Sequence, residues 1–300
     1  MNCSACGTAV DPEVHFCEAC GAPVGRPVGA ATSPAHDPLD RCELDLGHRL
    51  AGVSDRGLRH TRNEDAVALL CDPPFAILVV CDGVSSSHDP AAGSRTAADA
   101  TARFLHQGAK THDGPTALMR AAILAGHEAV CGLLPAGTPS DGRPLSTIVA
   151  ALAEGDSATI GWAGDSRAYV LSASGRLLTH DDSWLNWVVE RGQMTEAQAM
   201  HSPNAHAILQ CLGDPDDPPE PHVVTATLAP RDRLLLCTDG LWNYAPTPSA
   251  LLIETAGSSS ATPALAMCRA LVKFANEAGG RDNITAAMLL VPDDAALREK

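Results

Sequence analysis

The chain has 300 residues, a hydrophobic content of 45% and a formal charge of 21 − 36 = −15. That length holds one large domain or two ordinary ones. The acidic balance argues against a nonspecific nucleic-acid binder, whose phosphate contacts need Lys and Arg. Aromatic residues are scarce (Phe 4, Trp 4, Tyr 2), so the core is expected to rest on Ala, Val, Leu and Ile. No apolar run is long enough for a membrane-spanning helix. The start, Met1-Asn2-Cys3-Ser4-Ala5-Cys6, lacks the basic and apolar parts of a signal peptide. Four of the eleven cysteines form CxxC pairs, and the others are scattered, several inside apolar runs. Buried free thiols in a reducing compartment fit this usage better than a disulfide framework, so a cytoplasmic location is expected.

The first predicted element is a metal-nucleated module over residues 1–25. Cys3-x2-Cys6 and Cys17-x2-Cys20 are each followed by glycine, Gly7 and Gly21. Four thiolates at this spacing suit one structural zinc ion. So short a segment lacks a sufficient core of its own, and metal binding would supply the folding energy. Two redox-active pairs are the other reading, disfavoured because no strand-helix unit surrounds them. The segment resembles the small zinc-ribbon modules at the ends of many bacterial proteins. It contains no Lys or Arg, so protein docking is the better expectation for it than nucleic-acid binding.

Residues 26–43 read as a flexible linker, since the stretch Ala22–Pro38 is rich in Pro, Gly and Ala without apolar periodicity. A second domain is expected over residues 44–292. Within it Phe75–Cys81 reads as a strand, and Ala91–Gln107 and Pro115–Leu134 as helices. Three short strands follow, Ser146–Ala153, Ala158–Ala163 and Arg167–Leu171, with turns at Gly155-Asp156 and Gly164-Asp165 that favour antiparallel pairing. Trp184–Leu212 reads as helical and irregular. Val223–Leu228 and Asp232–Cys237 read as strands, Pro263–Glu277 as a helix and Ile284–Val291 as the last strand. Strands and helices are grouped rather than strictly alternating, which favours α+β with antiparallel sheets.

Three aspartates border the apolar runs: Asp82 in Val79-Val80-Cys81-Asp82-Gly83, Asp239 in Leu236-Cys237-Thr238-Asp239-Gly240, and Asp282 in Arg281-Asp282-Asn283-Ile284. A carboxylate at a strand end sits on a rigid element, and the glycine beside it lets backbone approach a ligand closely. Any single Asp-Gly is most often a turn. Three together can bridge two hard divalent cations, as metal-assisted attack of water on a phosphate ester requires.

Further blocks accompany them: Ser54-Asp55-Arg56-Gly57, Asn63-Glu64-Asp65, Ser146-Thr147-Ile148, Gly164-Asp165-Ser166-Arg167, Thr179-His180-Asp181-Asp182-Ser183 and Asp239-Gly240-Leu241-Trp242. Their succession resembles the metal-dependent serine/threonine protein phosphatases of type 2C, as found in bacteria. The resemblance implies a four-layer α-β-β-α sandwich of two antiparallel sheets flanked by helices. It implies two Mn²⁺ or Mg²⁺ ions and hydrolysis of phosphoserine or phosphothreonine on proteins by a water bridging them. It assigns Asp82 and the Gly83 carbonyl to the metals, Asp239 and Asp282 to the second metal, and Glu64 and Asp65 to metal-held waters. Oxygen-only ligands with retained waters suit these hard ions. A third ion would need another carboxylate, for which Asp141 is the candidate.

The chain departs from the family pattern at several positions. His60 stands where the family carries its phosphate-binding arginine, with Arg59 and Arg62 beside it. Either arginine or a protonated His60 is a candidate for that contact, against a reading of both arginines as solvated surface groups. His88, in the loop Val84–Pro90, is a candidate general acid, against a plain surface histidine. Asn243 replaces an aspartate near the second metal. Asp182 replaces a histidine and is expected to shape a loop. Asp165 is expected to hold a tight turn, with Arg167 pairing a neighbouring carboxylate. Trp184-Leu185-Asn186-Trp187 is expected to pack rather than to stack bases. An active phosphatase serving a Ser/Thr kinase in signalling is the favoured reading. A catalytically weak phosphatase-fold adaptor that binds phosphoproteins is the alternative, fed by His60 and Asn243.

Overall fold

The computed structural model of the chain describes residues 31–32, 40–111, 114–135, 139, 142–255 and 262–293. Cys3, Cys6, Cys17, Cys20 and Asp141 lie outside the described residues, and so does the expected zinc ribbon.

Two six-stranded antiparallel sheets face each other. The first runs in the order β1 (Ala31–Thr32), β4 (Asp65–Asp72), β5 (Phe75–Asp82), β6 (Ile148–Glu154), β7 (Ser157–Ala163), β10 (His222–Thr227). The second runs β2 (Arg41–Asp45), β3 (Leu50–Asp55), β12 (Ile284–Leu290), β11 (Arg233–Cys237), β8 (Arg167–Leu171), β9 (Arg176–Leu177). Helices α1 (Pro90–Gly108) and α2 (Pro115–Cys131) cover the first sheet, and α6 (Pro248–Glu254) and α7 (Ala264–Glu277) cover the second. The four-layer sandwich expected from the sequence is therefore the observed architecture.

Period-two alternation builds the layers. On β5, Leu78 and Val80 enter the core between the sheets, while Ile77, Val79 and Cys81 face α1 and α2. On β11, Leu234 and Leu236 enter the inter-sheet core, while Leu235 and Cys237 face α7. Small residues let the layers approach. A Cβ on Gly52 would stand 2.9 Å from Val67 Cγ2 of the opposite sheet.

Two parts of the expected linker are strands. The backbone of Ala31 and Thr32 pairs with Leu69 and Ala68. Residues 41–45 pair with β3, with Leu44 inside the inter-sheet core and Cys42 packed against it. The segment Trp184–Leu212 is mostly turns. Helix α3 (Trp184–Glu190) gives way to Gly192 at φ 65°, and α4 (Glu196–Ala199) is one turn closed by a capping box from Thr195 and Gln198.

Candidate metal centre

The face of each strand that fills the inter-sheet core turns polar at one end of the sandwich. Val67 and Leu69 lead to Asp65, Leu78 and Val80 to Asp82, Leu236 to Thr238, and Ala287 to Thr285. These polar residues satisfy one another. Asp65 is only 5% exposed, and its Oδ2 accepts the hydroxyls of Thr285 at 2.7 Å and Thr238 at 2.9 Å. Ser54 and Thr285 share a hydroxyl bond of 2.7 Å, and Thr147 and Ser166 one of 2.9 Å. The Asp82 amide donates to Thr147 Oγ1.

Asp65 and Asp82 are direct partners in the β4–β5 register. Burial pushes the Asp65 carboxyl up to about 7, with Asp282 adding to the rise and the Thr285 and Thr238 hydroxyls opposing it. Burial also lifts Asp82 well above the usual carboxylate range, helped by the charges of Asp65, Asp239, Asp165 and Asp282. The loop after Asp82 needs glycine, since a Cβ on Gly83 would stand 2.5 Å from the Pro90 carbonyl oxygen.

Asp239 opens the one-turn helix α5 (Asp239–Trp242). Burial, then Asp165, Asp282 and Asp65, raise its carboxyl well above the ordinary range. Asn243 donates to its Oδ2 at 3.2 Å, while its Oδ1 is enclosed without a protein partner. Gly240 lies so close to the neighbouring strand that a Cβ would stand 1.9 Å from the Asn283 carbonyl oxygen. Asp282 accepts the Asn283 amide at 2.8 Å, and His60 Nε2 stands 3.1 Å from the same oxygen.

Asp165 does more than hold a turn. It lines the same cleft as Asp82, Asp239 and Asp282, and burial followed by the charge of Asp181 pushes its carboxyl up to about 6. Its neighbour Arg167 makes a two-pronged pair with Asp181 at 2.9 and 2.7 Å and lies 3.7 Å over the Trp242 ring. Trp242 Nε1 donates to the Asp165 carbonyl oxygen, and Asn186 of α3 donates to that of Asp181. These contacts join the acidic floor to the turn-rich segment after β9. The cleft encloses about 600 Å³, with Ser183, Leu185, Met200 and His206 on the side of that segment.

The donor set fits hard divalent cations. The floor is rich in carboxylates, whose mutual repulsion adds to the raised pKa of Asp82 and Asp239, and among the described residues Asp239 Oδ1 and Asp65 Oδ1 lack hydrogen-bond partners. Among the described residues no three His, Cys, Asp or Glu side chains close into a ready-made ligand cage. An open arrangement suits Mg²⁺ or Mn²⁺, which keep several waters and take few protein ligands.

The other expected residues are placed as follows. Glu64 stands beside the floor, its Oε2 accepting the Ser85 hydroxyl at 2.6 Å and its amide donating to Asn283 Oδ1 at 2.7 Å. Arg59, Arg62 and His88 are exposed, and none is among the residues lining the cleft. Asn243 lines the cleft, and Asp182 joins Gly164 N to His222 at the root of the turn-rich segment. Trp187 is 40% exposed beneath Arg191. Asp165 and Asn283 are the site residues whose roles the sequence reading missed. The acidic stretch Asp181-Asp182 that follows Arg167 by 14 residues was the available signal for a carboxylate-rich pocket.

Among the described residues no helix is long and apolar enough to cross a membrane. The family model for protein phosphatase 2C matches residues 56–274. Serine/threonine protein phosphatase PstP of Mycobacterium tuberculosis is 29% identical over 253 residues, covering 82% of this chain and 45% of the relative. Protein phosphatase PhpP of Streptococcus pneumoniae is 35% identical over 134 residues, covering 44% of this chain and 52% of the relative. The chain thus spans about half the length of these curated relatives. The crystal structure of the PstP catalytic domain in complex with two manganese ions is 26% identical with a TM-score of 0.62, covering 81% of this chain and 98% of that one.

Proposed function

This chain belongs to the protein phosphatase 2C family, and on that premise we propose that it hydrolyses phosphoserine and phosphothreonine esters on proteins with two Mn²⁺ or Mg²⁺ ions. The observation that carries the reading is the floor of the cleft, where Asp82, Asp165, Asp239 and Asp282 gather, with His60 at Asp282 and Arg167 near Asp165 as the positive groups beside them. The PstP catalytic domain that resembles this chain is described with two manganese ions.

Asp82, Asp239, Asp282 and the Gly83 carbonyl would hold the pair of ions, with Asp65 and Glu64 orienting retained waters. Asp165, which lines the cleft, is a candidate for a third ion in addition to Asp141. When bound, such ions lower the pKa of water and offset charge on a phosphoryl group. The protein's own groups do the rest. The threonine hydroxyls on Asp65 fix one carboxylate edge, leaving the other free. The Arg167–Asp181 pair and Trp242 hold Asp165 and the cleft wall in register. Of the expected phosphate-contacting groups, His60 touches a floor carboxylate, Asp282, at 3.1 Å.

The wider reading includes a phosphoprotein made by a Ser/Thr kinase as substrate, a cytoplasmic location, and a zinc ion on Cys3, Cys6, Cys17 and Cys20 in a module that docks proteins. Release of phosphate from a phosphothreonine peptide, with and without Mn²⁺, tests the central claim. Turnover that needs Mn²⁺ and is lost in Asp239→Asn supports it. A folded, metal-loaded protein that binds the peptide without turnover would replace it with the adaptor reading.

A further inference from the structure

At the far end of β3 and β11 from the acidic floor lies a cavity of about 360 Å³ lined by basic side chains. Arg49, immediately before β3, and Arg233, the first residue of β11, both line it. Arg49 Nε donates to the Leu290 carbonyl oxygen at 2.8 Å, and Arg233 Nη1 donates to the Thr255 hydroxyl at 2.7 Å. Among the described residues neither guanidinium has a carboxylate within ion-pair distance. Most of their N–H groups are therefore without an anionic partner. Partial desolvation lowers the pKa of both.

The two acids in the same cavity are engaged with groups other than Arg49 and Arg233. Asp232 Oδ2 accepts the Ala229 amide at 2.9 Å, and Asp293 pairs with Arg231. Arg231 holds a left-handed backbone at φ 69°, a conformation that costs a non-glycine residue energy. By contrast, Arg41 and Arg269, which line another surface groove, are both paired with Glu43, and Arg41 with Asp55 as well. In a chain of net charge −15, a cavity whose two guanidiniums meet no carboxylate among the described residues is a local reversal of the field.

We propose that this cavity binds a phosphoryl dianion through Arg49 and Arg233, at a site separate from the metal floor. Guanidinium forks match the oxygen geometry of phosphate. Met267 and Leu290 supply apolar wall beside them, which suits the carbon stem of a phosphorylated side chain. One strand length, roughly 20 Å, separates the two sites, so occupancy here does not obstruct the cleft. The inference does not depend on hydrolysis at the floor.

The test uses the full chain in buffer free of Mn²⁺ and Mg²⁺, where the acidic floor repels anions. Inorganic phosphate and a phosphothreonine peptide are titrated separately against NaCl at matched ionic strength, reading thermal midpoint and ³¹P line width. The expected result is a saturating response to one or both phosphates that chloride does not give. Its affinity falls by roughly tenfold or more in Arg233→Gln and in Arg49→Gln, while calorimetric Mn²⁺ affinity is unchanged in both. Tighter binding of the peptide assigns the site to a phosphorylated side chain, and tighter binding of phosphate assigns it to the free ion. A response that tracks ionic strength alone, or that survives both substitutions, overturns the proposal. If Arg233→Gln fails to fold, Arg49→Gln decides, because its side chain is the more exposed and donates to a surface carbonyl oxygen, that of Leu290.

Discussion

Asn283 and Glu64 stand 219 positions apart in sequence and share a 2.7 Å hydrogen bond, from the Glu64 amide to Asn283 Oδ1. The other end of the same side chain donates to the carbonyl oxygens of Arg56 and Arg62 at 2.8 and 3.1 Å. One 2% exposed amide thus pins the loop between β3 and β4 to the start of β12, beside Asp282. Asn283→Ala strands these backbone groups inside the protein. A loss of roughly 2–4 kcal/mol is expected, since unsatisfied buried groups cost about 1–3 kcal/mol each and neighbouring losses overlap. Urea denaturation measures it, and Mn²⁺ affinity should weaken in the same variant.

Asp239→Asn separates stability from activity. The substitution removes one of the charges that lift Asp82, and the amide keeps the shape of the side chain. The metal-free variant should melt higher than the metal-free parent, while Mn²⁺-dependent turnover falls by about 100-fold or more, the upper end of what a group merely supporting a metal ligand costs. Calorimetric melting of both proteins without divalent metal, beside a phosphate-release assay, checks the pair of opposite signs. A lower melting point for the variant contradicts the repulsion argument.

The acidic floor also sets a pH dependence. Asp65 and Asp165 hold their protons up to about 7 and 6 in the folded protein, against about 3.9 for an unfolded aspartate. The native state binds protons more tightly, so this contribution to stability is complete below about pH 4 and is lost as pH rises through 6 and 7. The thermal midpoint of the metal-free protein should fall across that window. The gain on adding Mn²⁺ should grow over the same range, because metal and protons compete for the floor. Melting curves at half-unit pH steps, with and without Mn²⁺, test this, and a metal increment independent of pH contradicts it.

Asn243→Asp should act in the reverse sense to Asp239→Asn. It exchanges a hydrogen-bond donor 3.2 Å from Asp239 Oδ2 for a like charge. The metal-free protein should melt lower and bind Mn²⁺ more tightly. Calorimetric titration gives the affinity, and an unchanged value would show that position 243 does not reach the ions.

Much of this arrangement is legible in the sequence for a definable reason. Ile77–Cys81 and Leu234–Cys237 are uninterrupted apolar runs, so their ends and the aspartates beyond them stand out. The first strands do not. Leu50–Asp55 contains Gly52, selected by the close approach of the opposite sheet, and Asp65–Asp72 is diluted by Ala66 and Ala68, small residues of weak strand preference that pack under the helices. Asp165 follows Gly164 at φ 109° and looks like any turn residue until the fold brings Asp239 beside it. Thr238, Thr285 and Asn283 carry no motif of their own. Their partners lie 173, 220 and 219 positions away, beyond the reach of local pattern. The run Trp184–Leu212 carries apolar residues that suggest longer helices, yet it folds as a turn-rich wall of the cleft.

The strand faces that pack the two sheets together are the same faces that end in Asp65, Asp82, Thr238 and Thr285. For three of these four no hinge separates scaffold from chemistry, and Thr238 directly follows its strand. This strand-borne part of the floor therefore cannot loosen while the sandwich stays whole. Amide protons of β5 and β12 beside it should exchange only through global unfolding, whereas those of the Trp184–Leu212 wall exchange through small local openings. Adaptation to new substrates is thus channelled into the wall, the part of the cleft that can be rebuilt without melting the rest.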